Sequence, residues 1–225
     1  MDFTTSLISI FQEHANAKEA IRMEAYMKNR FSYYGIKAPV RKSLLKDIIL
    51  QYTPTLTHDN VISIANVLYK KSQRELHYCA MELVDRFLKK EYNIGDIDFI
   101  EQLITTNSWW DSVDFIAKHI LGKYLLQFPN QIHPVIENFS NSDKMWLNRS
   151  AILFQLGYKD QTDYQLLCSL CEQHKSSNEF FIKKAIGWAL REYSKVNPDA
   201  VVNFITNTKL KPLSEKEGLK RIRLS

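Results

Sequence analysis

Apolar residues recur at helical spacing along almost the whole of this chain, and the recurrence leaves little room for any other secondary structure. The pattern predicts helices over 3–13, 17–33, 39–51, 58–70, 73–90, 96–106, 109–127, 130–140, 143–157, 162–174, 178–195, 198–207 and 213–222. Glycine and proline number only six each. Pro39, Pro129, Pro198 and Pro212 each sit near a helix start, where a missing N–H costs nothing. No alternating run joined by Asn-Gly or Asp-Gly marks a hairpin. The fold class expected is all-α, in one domain over 1–225.

The helices also repeat. Ala80 in Tyr78-Cys79-Ala80-Met81-Glu82-Leu83, Ala151 in Arg149-Ser150-Ala151-Ile152-Leu153-Phe154 and Ala185 in Lys183-Lys184-Ala185-Ile186-Gly187-Trp188 occupy one slot. The second and third are 34 residues apart, and the first and second 71, about two such units. Helix pairs at this interval stack into an α-α superhelix, a solenoid with a concave surface suited to a long ligand. The tetratricopeptide pattern is absent, which leaves a loose HEAT-like repeat. A small residue in the shared slot lets two helices approach closely. Asp114 falls near the missing slot, 34 residues after Ala80 and 37 before Ala151, and so puts an acid where its sisters have alanine.

That acid belongs to the densest local signal, Ser108-Trp109-Trp110-Asp111-Ser112-Val113-Asp114. Ser108 and Asp111 read as a capping box opening a helix. Trp110 and Asp114, four residues apart, then share one helical face. An indole beside a carboxylate suits an electron-poor ligand. Trp188 lies on an equivalent helix and joins them on the expected concave face. Trp109 points about 100° away and reads as packing, and Asp111 as the capping acid. Arg149, with Lys183, Lys184 and Arg191, can neutralise phosphates or form a solvated face. Tyr26 stands among Arg22, Lys28 and Arg30, followed by Tyr33, Tyr34, Arg41, Lys42 and Lys46, a mixture that suits a nucleic-acid backbone.

Net charge is +5 and the pI about 8.9, compatible with a polyanionic partner without requiring one. Three cysteines, Cys79, Cys168 and Cys171, give no disulfide framework. The Cys168–Cys171 pair lacks a second pair for zinc and reads as helical core. No HExxH, phosphate-cradling glycine loop or GxSxG elbow occurs, so neither a metal nor a cofactor is expected. No segment reaches the roughly 20 apolar residues of a membrane span. With no secretion signal at Met1-Asp2-Phe3-Thr4-Thr5, a cytoplasmic protein is the expectation.

At these residues the chain resembles the AlkD-type DNA alkylation repair family, the HEAT-like-repeat DNA glycosylases. The likeness runs from Tyr26-Met27-Lys28-Asn29 to Pro212-Leu213-Ser214. It is carried by Ser108–Asp114, by Arg149-Ser150-Ala151-Ile152-Leu153-Phe154-Gln155-Leu156, and by Glu179–Trp188 with Leu190-Arg191-Glu192-Tyr193. The chain ends at Ser225, early for the family, and any shortfall is expected to fall on a terminal helix rather than on the groove. The resemblance implies a monofunctional glycosylase of base excision repair. It would hydrolyse the N-glycosidic bond of N3- and N7-alkylated purines in double-stranded DNA, without flipping the base. It implies Asp114 as catalytic acid, Trp110 and Trp188 flanking the lesion, Arg149 on a phosphate and Tyr26 in the groove. Lys28, Lys183 and Lys184 are the accompanying DNA contacts, and a monomer suffices. Two alternatives use the same fold: a non-catalytic DNA-damage binder and a protein-binding scaffold.

Overall fold

A computed structural model describes residues 2–222. The chain divides into two compact units, Met1–Asn93 and Ile94–Ser225. Among the described residues the secondary structure is helical, with no strand and one isolated bridge between Ser32 and Gln73.

The first unit contains α1 (Phe3–Glu13), α2 (Ala17–Tyr26), α3 (Ala38–Tyr52), α4 (His58–Tyr69) and α5 (Arg74–Leu88). Asp2, Asn16 and Thr57 cap α1, α2 and α4, each side chain accepting a backbone N–H from inside its helix. The core is aliphatic and aromatic: Leu7, Phe11, Val61, Leu68, Leu76 and Leu83 are fully enclosed. Helical spacing through 17–33 predicts a longer α2 than forms. The backbone turns instead through left-handed conformations at Lys28 (φ 59°) and Asn29 (φ 54°). Glu75 then anchors the descending segment, accepting the N–H groups of Tyr34, Gly35 and Ile36 at 3.1, 2.9 and 3.1 Å. This tertiary anchor overrides the local helical pattern.

The second unit contains α6 (Asp96–Thr105), α7 (Trp110–Phe115), α8 (Gly122–Gln127), α9 (Ile132–Ser140), α10 (Met145–Leu153), α11 (Tyr164–His174), α12 (Phe180–Tyr193), α13 (Pro198–Asn207) and α14 (Pro212–Gly218). Pro39, Pro198 and Pro212 lie at the first or second position of α3, α13 and α14, as their lack of a donor predicts. Pro129 opens a 3₁₀ turn before α9.

Between α7 and α8 the helix widens into a π segment, Ile116–Leu121, with the backbone dihedrals remaining helical across both junctions. The sequence supplies the reason. The buried residues run Val113, Ala117, Leu121, Leu125 and, beside them, Ile116, Ile120, Tyr124. Each row steps by four. On a 3.6-residue turn such a row drifts about 40° per step; the wider turn keeps it facing the core. Asp114 lies in the last α turn before this segment.

The alanine slots behave as their spacing predicts. Ala80, Ala151 and Ala185 are completely buried. Gly187, two residues beyond Ala185, admits α14. A Cβ there would lie 2.5 Å from the Glu217 Cβ and 2.7 Å from the Ser214 carbonyl oxygen. Gly187→Ala gains about 1 kcal/mol of helix propensity but suffers overpacking of about 1–3 kcal/mol. We therefore expect a net loss near 1 kcal/mol, read as a lower urea midpoint with unchanged m-value. A raised midpoint would show that α14 yields freely.

Candidate active site

Asp114 projects from α7 toward α10, and its partner there is Arg149. The guanidinium donates from Nε to Oδ1 at 2.7 Å and from Nη2 to Oδ2 at 2.9 Å, a two-point clamp. Nη1 donates to the carbonyl of Phe181 on α12. Three helices thus meet at one guanidinium. Arg149 is only 4% exposed, whereas Asp114 keeps a partly open face. Of the five N–H donors of arginine, three are engaged within the protein.

This arrangement corrects the expectation of an open phosphate clamp at Arg149. Its neighbours on the helical stripe explain its burial: Ile152 and Leu153 both lie in the core. The acid that occupies a small-residue slot is the counter-charge that makes the burial tolerable. Burial pushes the Asp114 carboxyl above the usual carboxylate range; Arg149 opposes the shift without cancelling it, and nearby Asp111 adds to it.

Aromatic rings frame the pair. Trp109, Trp146 and Phe181 form a closed cluster with centroid separations of 5.9 Å (Trp109–Trp146), 5.2 Å (Trp109–Phe181) and 5.0 Å (Trp146–Phe181). The Arg149 guanidinium carbon lies 5.8 Å from the Phe181 centroid. Trp109 therefore packs, as expected of it, against Trp146 and Phe181. Sequence reasoning does not single out Trp146 and Phe181. Their signal lies in the strings Trp146-Leu147-Asn148-Arg149 and Phe180-Phe181, each just before an alanine slot.

The capping box does not form. Trp109 is the N-cap of α7 and offers no side-chain cap. The Ser108 hydroxyl donates instead to the Ile104 carbonyl at 2.6 Å, closing the end of α6. Asp111 keeps its place in the first turn of α7, where it complements the helix dipole.

The remaining expected residues divide between the two units. Trp110 begins α7 and is half-buried, one turn before Asp114. Trp188 on α12 is half-buried against the core of the second unit. Lys183 is half-buried and makes no ion pair among the described residues. Lys184 is held on Glu217 of α14 at 2.8 Å, and Arg191 meets the same carboxylate at 2.6 Å. In the first unit Tyr26 is 71% exposed, and Lys28 in the left-handed turn is exposed too. Arg41, which the sequence suggests as a backbone contact, is instead buried on Glu82 at 2.8 Å. Cys79 and Cys171 are core residues, and burial pushes the Cys79 thiol up to about 12. No cluster of metal-binding side chains occurs among the described residues, and no helix among them is long and apolar enough to cross a membrane.

Fold and site together define a helical-repeat protein with a partly open carboxylate, locked by arginine and ringed by aromatics. A family model for DNA alkylation repair enzymes matches residues 7–222. Among solved structures, a chain described as a predicted DNA alkylation repair enzyme from Enterococcus faecalis is 31% identical, with a TM-score of 0.86 over 94% of this chain and 98% of its own. This chain belongs to the DNA alkylation repair enzyme family. Two further structures share the fold at 17% identity and a TM-score of 0.60. They are smu.31 from Streptococcus mutans UA159 (80% of this chain, 96% of that one) and AlkD2 from Streptococcus mutans (78% and 86%). No curated protein is significantly similar in sequence.

Removing Arg149 should expose what the clamp does. Arg149→Ala leaves Asp114 without its partner, and we expect a loss of about 3 kcal/mol at neutral pH. The native carboxyl titrates above its unfolded value, so the folded protein holds the proton more tightly and stability falls as pH rises through that window. In the variant the shift is larger. The loss should therefore shrink as pH falls and Asp114 becomes neutral. Urea denaturation of both proteins at neutral and mildly acidic pH tests this; a pH-independent difference would mean that the missing packing, not the charge, matters.

Proposed function

We propose that this enzyme is a monofunctional DNA glycosylase that hydrolyses the N-glycosidic bond of N3- or N7-alkylated purines in duplex DNA. The observation that carries the reading is the Asp114 carboxylate: partly desolvated, fixed by Arg149 at both oxygens, yet with an open face. Alkylation at N3 or N7 makes the purine a cationic leaving group. Cleavage then builds positive charge on the deoxyribose. A carboxylate fixed in advance stabilises that charge without reorganising, and does so more strongly where water is partly excluded. Two of the roughly four lone-pair positions of a carboxylate accept from Arg149. The others can face the sugar or orient the attacking water. A leaving group that is already charged needs no proton, so one acid suffices.

Trp110 and Trp188 are the indoles assigned to the sugar of the damaged nucleotide, where a ring face favours a cation. Arg149 is assigned to holding the Asp114 carboxylate, and Lys183 to a phosphate. Lys184 is assigned to the same task, with Glu217 taking part of its charge. Tyr26 and Lys28, exposed on the first unit, are assigned to the DNA backbone. The reading requires no deep pocket for an extruded base, and we take the damaged base to stay in the stack.

Asp114→Asn should abolish release of 7-methylguanine from methylated duplex while duplex binding survives. In the wild-type enzyme the rate should fall on the acid side at a pH above the ordinary aspartate value, because burial raises this carboxyl and protonation removes the charge. Release by the Asn variant at the wild-type rate would remove Asp114 from the chemistry. A second reading has one observation in its favour: Arg149 occupies both carboxylate oxygens, as in a purely structural pair. It makes the protein a non-catalytic damage binder, and predicts salt-dependent binding with no base released even by the wild type.

A further inference from the structure

Beyond α14 the chain makes a last turn whose arrangement is unlike that of a loose tail. α14 lies against α12, admitted by Gly187. The Ser214 hydroxyl donates to the Lys183 carbonyl at 3.0 Å. Glu217 pins α14 through Lys184 and Arg191. Leu219 and Ile222 then pack on the core of the second unit. Between these two apolar anchors stand Lys220 and Arg221, both exposed.

The anchors aim this pair at a definite place. Trp188, Arg191, Glu192, Lys195, Lys220 and Arg221 line an open cleft of about 460 Å³. Four cations face one carboxylate there. Glu192 is matched by Lys195 at 2.6 Å, and Arg191 by Glu217. Lys220 and Arg221 make no ion pair among the described residues. Two uncommitted positive charges are thus left facing a cleft with an indole wall. Leaving such charges side by side costs electrostatic energy that an anion would relieve.

We propose that this cleft seats a phosphodiester of the DNA strand, with Lys220 and Arg221 as its phosphate contacts and the Trp188 indole as the wall against the adjoining sugar. The proposal rests on the glycosylase reading above for its ligand, and extends that site to residues near the C-terminus. It makes Trp188 a shared element, with one edge toward the reacting nucleotide and one toward its neighbour's phosphate.

The test uses the full chain and a duplex bearing 7-methylguanine, with binding followed by fluorescence anisotropy over a range of KCl concentrations. The paired variant Lys220→Gln/Arg221→Gln should bind about tenfold more weakly at moderate salt. Its plot of log K against log salt should be shallower by about one for each phosphate that the variant no longer neutralises. The charge-keeping swap Lys220→Arg/Arg221→Lys should stay within about twofold of wild type on both measures. Thermal melts of all three should coincide, since neither side chain is committed to an ion pair. Wild-type slope and affinity in the Gln variant would overturn the proposal while leaving the glycosylase reading intact. If, in addition, inorganic phosphate quenches tryptophan fluorescence of the wild type but not of the Gln variant, the cleft belongs to free phosphate. Wild-type protein that neither binds the duplex nor releases base would overturn both readings.

Discussion

The ion pair between Asp114 and Arg149 holds the second unit's site together. It joins α7 to α10 and, through the Phe181 carbonyl, to α12. A lone charge at either position would be expensive in this setting. Together they are tolerated, and each fixes the other's geometry. The pair is also unequal in its exposure: the guanidinium is enclosed, and the carboxylate retains an opening. What faces outward is therefore the anion, held by a cation behind it. This polarity suits a partner that becomes positive during its reaction.

The aromatic cluster has a related job. Trp109, Trp146 and Phe181 come from the start of α7, the start of α10 and the start of α12. Their edge-to-face and tilted contacts leave little freedom to the backbone at those helix starts. They also limit water around the guanidinium, which strengthens the clamp. The cluster is thus part of the electrostatics as well as of the packing. Trp110, the neighbour of Trp109 in sequence, is directed elsewhere by the helical turn and stands at the start of α7.

Much of this architecture is legible in the chain itself. The proline positions mark helix starts because a missing donor is harmless there, and the alanine slots mark positions buried between packed helices. The end of α2 is hidden, since Lys28 and Asn29 enter the left-handed region without a glycine to announce it. The burial of Arg149 is half-visible. Position 149 lies on an apolar stripe with Ile152 and Leu153, while an acid fills an alanine slot 35 residues earlier. Each oddity alone reads as a surface charge; only their pairing explains both. The cluster of Trp146 and Phe181 is beyond the reach of local pattern, because its members meet only after α10 and α12 are packed. Ser108 misleads for a related reason: its hydroxyl has two helices to serve, and the one before it wins.

The widened segment Ile116–Leu121 sets a limit of a different kind on this protein. Its buried rows tolerate exchange of one aliphatic side chain for another of similar bulk. They do not tolerate a gain in length. The wide turn already absorbs one extra residue, and a further one inserted between Phe115 and Gly122 would swing everything upstream by about 100° relative to the rows below. The carboxylate of Asp114 would then turn off the guanidinium while every core residue type stayed in place. Spacing, more than composition, is what this stretch of chain has to preserve.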